Sequence, residues 1–187
     1  EEAVATYRLS LANIQLDLGD RDEAKKTLEE SAFEKGSLEY VQSGLMHYQI
    51  HGRSGELKEA QEWLDTIRES MEALGDAKLE QSFRTNRYIL YIQLHEYQKA
   101  LDESEKVLQL AEQSNDEFGI ARCHANRGAI LIQSEKYEQA QGEISEAIEL
   151  FKKIGRLDFE LHSQVFMSAT EFHLGHLRNA GVGFQKA

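Results

Sequence analysis

Two dipeptides carry the side chains best suited to holding a ligand. Asn86-Arg87 and Asn126-Arg127 stand 40 residues apart. A carboxamide offers both a donor and an acceptor, which matches a peptide unit. A guanidinium adds bidentate pairing with a carboxylate, and Arg84 and Arg122 bring further positive charge close by. The competing reading is structural: the asparagines tie neighbouring segments together, while Arg87 and Arg127 pair internally.

The residues that could do covalent or metal chemistry are poorly arranged for it. His47 and His51 lie four apart, on one helix face, but no glutamate stands where a zinc protease needs its base. His173, His176 and Glu171 straddle a predicted turn at Gly175, where such groups ordinarily meet water. Cys123 adjoins His124. Neighbours on a helix point about 100° apart, a bad geometry for a thiolate pair, so Cys123 is read as packing. No glycine-rich phosphate loop is present in the sequence. Trp63, Tyr88 and Tyr91 are read as packing between segments, with one tyrosine free to meet a ligand. The expectation is no enzyme, no metal and no cofactor.

The elements that must position these side chains are legible in the alanines. Ala24, Ala60, Ala100, Ala140 and Ala180 follow one another at intervals of 36, 40, 40 and 40 residues. A bulky apolar residue lies three before four of them: Leu57, Tyr97, Tyr137 and Leu177. Leu28, Leu64, Ile144 and Phe184 lie four after, and Ile67, Val107 and Ala147 seven after. That spacing is the buried stripe of a helix. A period in this range marks stacked units that share a core. Twelve before each alanine come Ala12, Tyr48, Tyr88, Gly128 and Ser168. Helices approach within about 8 Å only where side chains are small, so Tyr48 and Tyr88 predict looser or tilted pairs.

Gly75, Asn115 and Gly155 punctuate the ends of second helices, and Asp20 with Glu23 reads as a capping box. The pattern predicts helices over 5–18, 21–35, 38–52, 57–74, 78–94, 97–113, 117–134, 137–154, 158–174 and 177–187, and no strand.

The chain resembles the tetratricopeptide repeat family, most closely over residues 126–147, where Gly128, Tyr137, Ala140 and Ala147 fall in register. The resemblance implies an all-α, right-handed superhelical solenoid of five antiparallel helix pairs. The repeats would cover about 5–36, 37–76, 77–116, 117–156 and 157–187, as one solenoid over 1–187. The chain departs from the family in having no proline. Its 40-residue period, with Asn86 and Asn126 at one repeat position, looks like the longer-period branch, which includes kinesin light chains, mitotic spindle adaptors and bacterial peptide-pheromone receptors. There, groove asparagines on first helices hold the backbone of an extended peptide. The resemblance therefore implies peptide contacts at Asn86, Asn126, Arg84 and Arg122. At the positions matching a chaperone-binding clamp, Leu9 precedes Asn13, Leu45 precedes Gln49 and Thr85 precedes Ile89. The clamp lysine is missing. Asn13 and Gln49 stay among the candidate peptide contacts.

A net charge of −12 argues against nucleic-acid phosphate as the main ligand. Acids crowd residues 55–76 and 95–116, whereas 118–134 hold Arg122 and Arg127 and no acid. With the family's geometry this implies an acidic back and a mildly basic groove, and hence a protein or peptide partner with acidic segments. No apolar run is long enough to span a membrane, and the single Cys123 suits a reducing, cytoplasmic setting. The chain has no initiator methionine and stops inside a predicted helix, so a piece of a longer protein is expected. The sequence leaves three roles open: a peptide-binding module, the sensory or regulatory domain of a larger bacterial signalling protein, and a scaffold that self-associates through its ends.

Overall fold

The structure, a computed structural model, describes residues 2–176. Among them all regular elements are helices, nine in number. The predicted tenth helix, with Ala180 and Phe184, lies outside the described residues. The chain divides into two compact units, residues 1–94 and 95–187.

The first unit holds α1 (Glu2–Leu18), α2 (Arg21–Glu29), α3 (Leu38–Ser54), α4 (Leu57–Leu74) and α5 (Ala77–Gln93). Short turns join α1 to α2, α3 to α4 and α4 to α5, residues 30–37 link α2 to α3, and consecutive helices pack on one another. Leu9, Ala12 and Leu16 of α1, Ala24 and Leu28 of α2 and Ile50 of α3 form one core. Val41, Leu45 and Tyr48 of α3, Ala60, Leu64, Ile67 and Met71 of α4, and Leu79, Phe83 and Leu90 of α5 form the next. In the second unit α6 (Tyr97–Gln113), α7 (Glu117–Gln133), α8 (Tyr137–Lys153) and α9 (Leu157–His173) pack in sequence order. Ala24, Ala60, Ala100 and Ala140 are each fully buried.

The helix α2 stops six residues short of its predicted end at 35. The chain turns out after Glu29, Ser31 Oγ donates to the Thr27 carbonyl at 2.6 Å, and Phe33 packs against the first core. Glu30, Ala32, Glu34 and Lys35 stay exposed while Phe33 becomes partly buried, and the shortened helix accompanies the first interval of 36.

Turn chemistry separates the entries to α3, α5 and α7 from those to the second helices, while Arg156 before α9, with ψ of 72°, is uncapped like the latter. Entering the second helices, Asp20, Glu56, Glu96 and Lys136 have ψ of 65°, 66°, 58° and 61° and make no side-chain cap. A cap needs a more extended backbone to swing its oxygen over the first amides. The capping box expected at Asp20 and Glu23 is therefore absent, although Asp20 does precede the helix. Ser37, Asp76 and Asp116, opening α3, α5 and α7, have larger ψ and accept hydrogen bonds from the first turn. Gly75, Asn115 and Gly155 take the left-handed conformation their positions predict, with φ of 61°, 53° and 73°.

The residue five before each repeat alanine is also left-handed. Three are glycine, but His95 and Glu135 hold φ of 59° and 60°. A side chain there costs about 1–2 kcal/mol. Glu135→Gly is expected to stabilise the second unit by about 0.5–1 kcal/mol, after the added chain entropy of glycine is subtracted. Urea unfolding checks it, and no gain would show that the strain is already relieved.

The close approach moves one turn along α3, from the position of Tyr48 to Gly44, where an added Cβ would collide with Ile67 of α4. In the second unit the approach sits at Gly128, where a Cβ would lie 2.5 Å from Ile144 Cγ1 of α8. Large and small residues have exchanged places across the two pairs. Gly44→Ala and Gly128→Ala are each expected to cost about 1–3 kcal/mol by overpacking. Adding Ile67→Ala or Ile144→Ala should recover part of the loss, measured as coupling in a double-mutant cycle.

Candidate functional site

The first helices of each unit turn one face to solvent. On α1 and α3, Asn13 and Gln49 occupy equivalent repeat positions; Asn13 is exposed and Gln49 half-buried. Asn13 Nδ2 reaches Asp17 Oδ2 at 3.5 Å, a weak tie on its own helix. On α5, Asn86 is half-buried one turn from the exposed Ile89. In the second unit Asn126 of α7 is half-buried and already has an interaction of its own. Arg122 is exposed, its guanidinium 5.9 Å from the Phe118 ring centroid.

Arg84, Arg87 and Arg127 meet groups inside their own unit, and Arg84 and Arg87 have further interactions as well. Arg84 donates through Nε and Nη2 to Glu80 Oε1 at 2.8 and 2.6 Å, so its charge is offset on its own helix. Arg87 lies against the Phe83 and Tyr91 rings and donates to the Tyr91 hydroxyl at 2.8 Å. Arg127 bridges two second helices, with Nε to Glu143 of α8 at 2.9 Å and Nη1 to Glu105 of α6 at 2.8 Å. His124 Nδ1 meets the other Glu143 oxygen at 2.8 Å. Burial pushes the Glu143 carboxyl up, but hydrogen bonds from His124 and Arg127 outweigh it and hold its pKa below the usual value. Internal pairing of Arg127 was one reading of the sequence, but the cluster with its two acids was missed. Its one signal was Glu143, three residues after Ala140 and so beside the helix pair's contact line.

The histidines of α3 form a packed group. His47 is 3% exposed and stacks on Trp63 with ring centroids 3.9 Å apart. Its Nδ1 is buried with no hydrogen-bond partner. Desolvation, then the nearby His51 and Lys25, lower its pKa to about 4. His51 Nδ1 contacts Glu56 at 2.5 Å. His173 stacks on Tyr137 at 4.5 Å. Among the described residues no group of three metal-ligating side chains comes together. The Cys123 thiol is buried, and burial pushes its pKa up to about 11, so it stays protonated at neutral pH. No described helix is long and apolar enough to cross a membrane.

These features define an all-α helical-repeat solenoid whose polar clusters hold helices together and whose first helices offer a solvent face. Solved structures share that fold. The chain is similar to the tetratricopeptide repeat sensor of a Signal Transduction ATPase with Numerous Domains from Pyrococcus horikoshii, with a TM-score of 0.87 and 18% identity. That match covers 96% of this chain but only 28% of the ATPase. It is also similar to a putative kinesin light chain with nearly identical TPR-like repeats from Podospora anserina, with a TM-score of 0.80, 14% identity, and 97% and 91% of the two chains covered. The apo form of RapI gives a TM-score of 0.76 at 18% identity, over 97% and 68%. No curated protein matches the sequence.

The tetratricopeptide repeat family model matches residues 5–32. The chain carries a tetratricopeptide repeat there and has the fold of tetratricopeptide-repeat proteins along nearly its whole length. The matched repeat is the first, where Ala12 and Ala24 meet in one core.

Proposed function

We propose that the chain is a protein-interaction module in which the first helices of each unit take an extended peptide segment along their solvent face. The observation that carries this reading is the placement of carboxamides on that face. Asn13, Gln49 and Asn86 stand on three successive first helices of the first unit, and Asn126 stands on α7 of the second. Each carboxamide can pair with a peptide unit without reading its side chain. Exposed Arg122 would favour an acidic residue in the ligand. Arg84 would do so only by giving up Glu80. The module would work without a cofactor in a reducing, cytoplasmic setting.

The test is selection of binding peptides from a random display library, followed by titration of wild type and Asn86→Ala/Asn126→Ala. Each lost backbone pair is worth about 1 kcal/mol, so the affinity should fall about fivefold per site. Peptides bound equally well by a variant of unchanged helicity would move the site elsewhere.

A second reading is favoured by the sensor match that spans 28% of a signalling ATPase: the chain is the sensory part of a larger signalling protein. An ATPase, kinase, cyclase or helix-turn-helix pattern adjoining it in its gene would support that, and a gene encoding repeats alone would oppose it.

A further inference from the structure

The second helix of the first repeat is cut short. α2 has 9 residues, whereas α4, α6 and α8 have 18, 17 and 17. In two of the longer repeats the last turns of the second helix fill one particular seat. Eleven residues after the repeat alanine stand Met71 and Phe151, 2% and 0% exposed. Met71 shares a core with Val41, and Phe151 shares one with Ala121. Val41 and Ala121 hold one repeat position, nineteen before the alanine, near the start of their first helices. In the first repeat these two places fall to Lys35 and Ala5.

There α2 has already ended, and Lys35 is exposed in the segment that leads to α3. The seat is left as an open cavity of about 530 Å³, lined by Val4, Ala5, Arg8, Glu30, Ser31 and Ala32. Arg8 Nη1 lies 3.3 Å from the Glu30 carbonyl and 3.5 Å from Ser31 Oγ, both long for hydrogen bonds. Among the described residues its Nε and Nη2 have no partner. The early end of α2 opens this cavity. Ala5 continues the stripe of Leu9, Ala12 and Leu16 that α1 turns to its own second helix. A neighbouring repeat covers a different face: Ile50 and Leu90 pack into the core that precedes them, and their counterpart in α1 is Ile14. Ala5 and Ile14, nine residues apart, point to opposite sides of the helix. A further repeat packed on Ile14 would leave the cavity open.

We propose that the cavity is a binding site for a partner polypeptide, which seats one bulky apolar side chain there, aromatic or methionine, and pairs an adjacent acidic residue with Arg8. Met71 and Phe151 show the size of side chain that completes this corner of a repeat, and no described residue supplies one here. A guanidinium with two unengaged donors pairs bidentately with a carboxylate. A cavity of this volume is ample for the apolar group. The site lies on the α2 side of α1 and is independent of the peptide-binding reading.

Dipeptide probes followed by amide NMR shifts test it. Titration with acetyl-Phe-Glu-amide should saturate and should move the amides of residues 4–8 and 30–32 most. Acetyl-Ala-Glu-amide lacks the apolar group and acetyl-Phe-Gln-amide lacks the charge, so each should bind about tenfold more weakly or worse. Arg8→Gln should erase the preference for the glutamate probe over the glutamine probe. Ala5→Met, which puts a side chain into the seat, should keep the wild-type helicity and abolish the shifts. Asn86→Ala/Asn126→Ala should bind the probe like wild type, so this proposal and the peptide-binding reading can fail separately. The proposal would be overturned by an absence of saturable shifts at these residues, by equal binding of the alanine probe, or by undiminished binding to a folded Ala5→Met protein. Equal binding of the glutamate and glutamine probes to wild type would overturn the pairing with Arg8.

Discussion

Phe151→Ala should cost the second unit about 3–5 kcal/mol, the range for removing a buried aromatic ring. Phe151 of α8 is fully buried. It lies 6.0 Å from the Phe118 ring of α7 and 5.2 Å from the Phe159 ring of α9, centroid to centroid. Phe118 and Phe159 meet edge-on at 5.0 Å, so three helices close on one aromatic cluster. Arg156 covers it from the α8–α9 turn, 4.5 Å from both the Phe118 and Phe159 rings. An alanine leaves a cavity whose walls belong to three helices, and such walls collapse poorly. Denaturant unfolding followed by circular dichroism measures the loss. A cost below 1 kcal/mol would mean that α9 slides in to fill the space. Phe151→Leu should cost clearly less, because most of the buried volume remains.

Acidification should weaken the first unit by about 3 kcal/mol between pH 6.5 and about pH 4, and His47 is the cause. The sign follows from its lowered pKa of about 4. Above pH 6.5 the imidazole is neutral in both folded and unfolded chains, and the contribution is complete. As pH falls below 6.5 the unfolded chain takes up a proton that the buried ring, stacked on Trp63, refuses. The loss is complete once the folded ring also titrates. His47→Phe should flatten stability across this window. If the variant and wild type kept the same slope, His47 would have to be reaching water while folded. Glu143 acts in the same direction at lower pH, because its lowered pKa makes it a stabilising carboxylate that is lost on protonation. The two contributions belong to different units and different pH windows.

The alanine period made the helix pairs legible, because a residue at closest approach has almost no freedom of type. Helix ends were legible where glycine or asparagine takes a left-handed turn. The end of α2 was not, since Phe33 reads equally well as one more helical residue and as a loop residue tucked into the core. The shift from Tyr48 to Gly44 was hidden for another reason. Gly44 sits one helical turn from the expected position, and only the facing Ile67 shows that the glycine is required. The arginines were harder still. Residue type and spacing gave Arg84 and Arg122 equal standing and offered Arg127 as an internal pair, whereas in the structure Glu80 already engages Arg84, and Glu105 and Glu143, both on other helices, hold Arg127. The carboxamides Asn86 and Asn126 were legible as a pair because they share a repeat position. Their surroundings were not: Asn126 already has an interaction of its own.

The exchange of large and small residues between the Gly44 and Gly128 contacts limits how this protein could be rebuilt. A shared period suggests interchangeable modules, to be shuffled, duplicated or grafted at will. Yet a first helix cut from the second repeat would bring Tyr48 to the place that Ile144 reserves for a bare backbone, and the reverse graft would set His124 against Ile67. The two halves of a helix pair must therefore be inherited together. The recombination unit of this chain is the matched pair, cut at the turn that precedes its first helix.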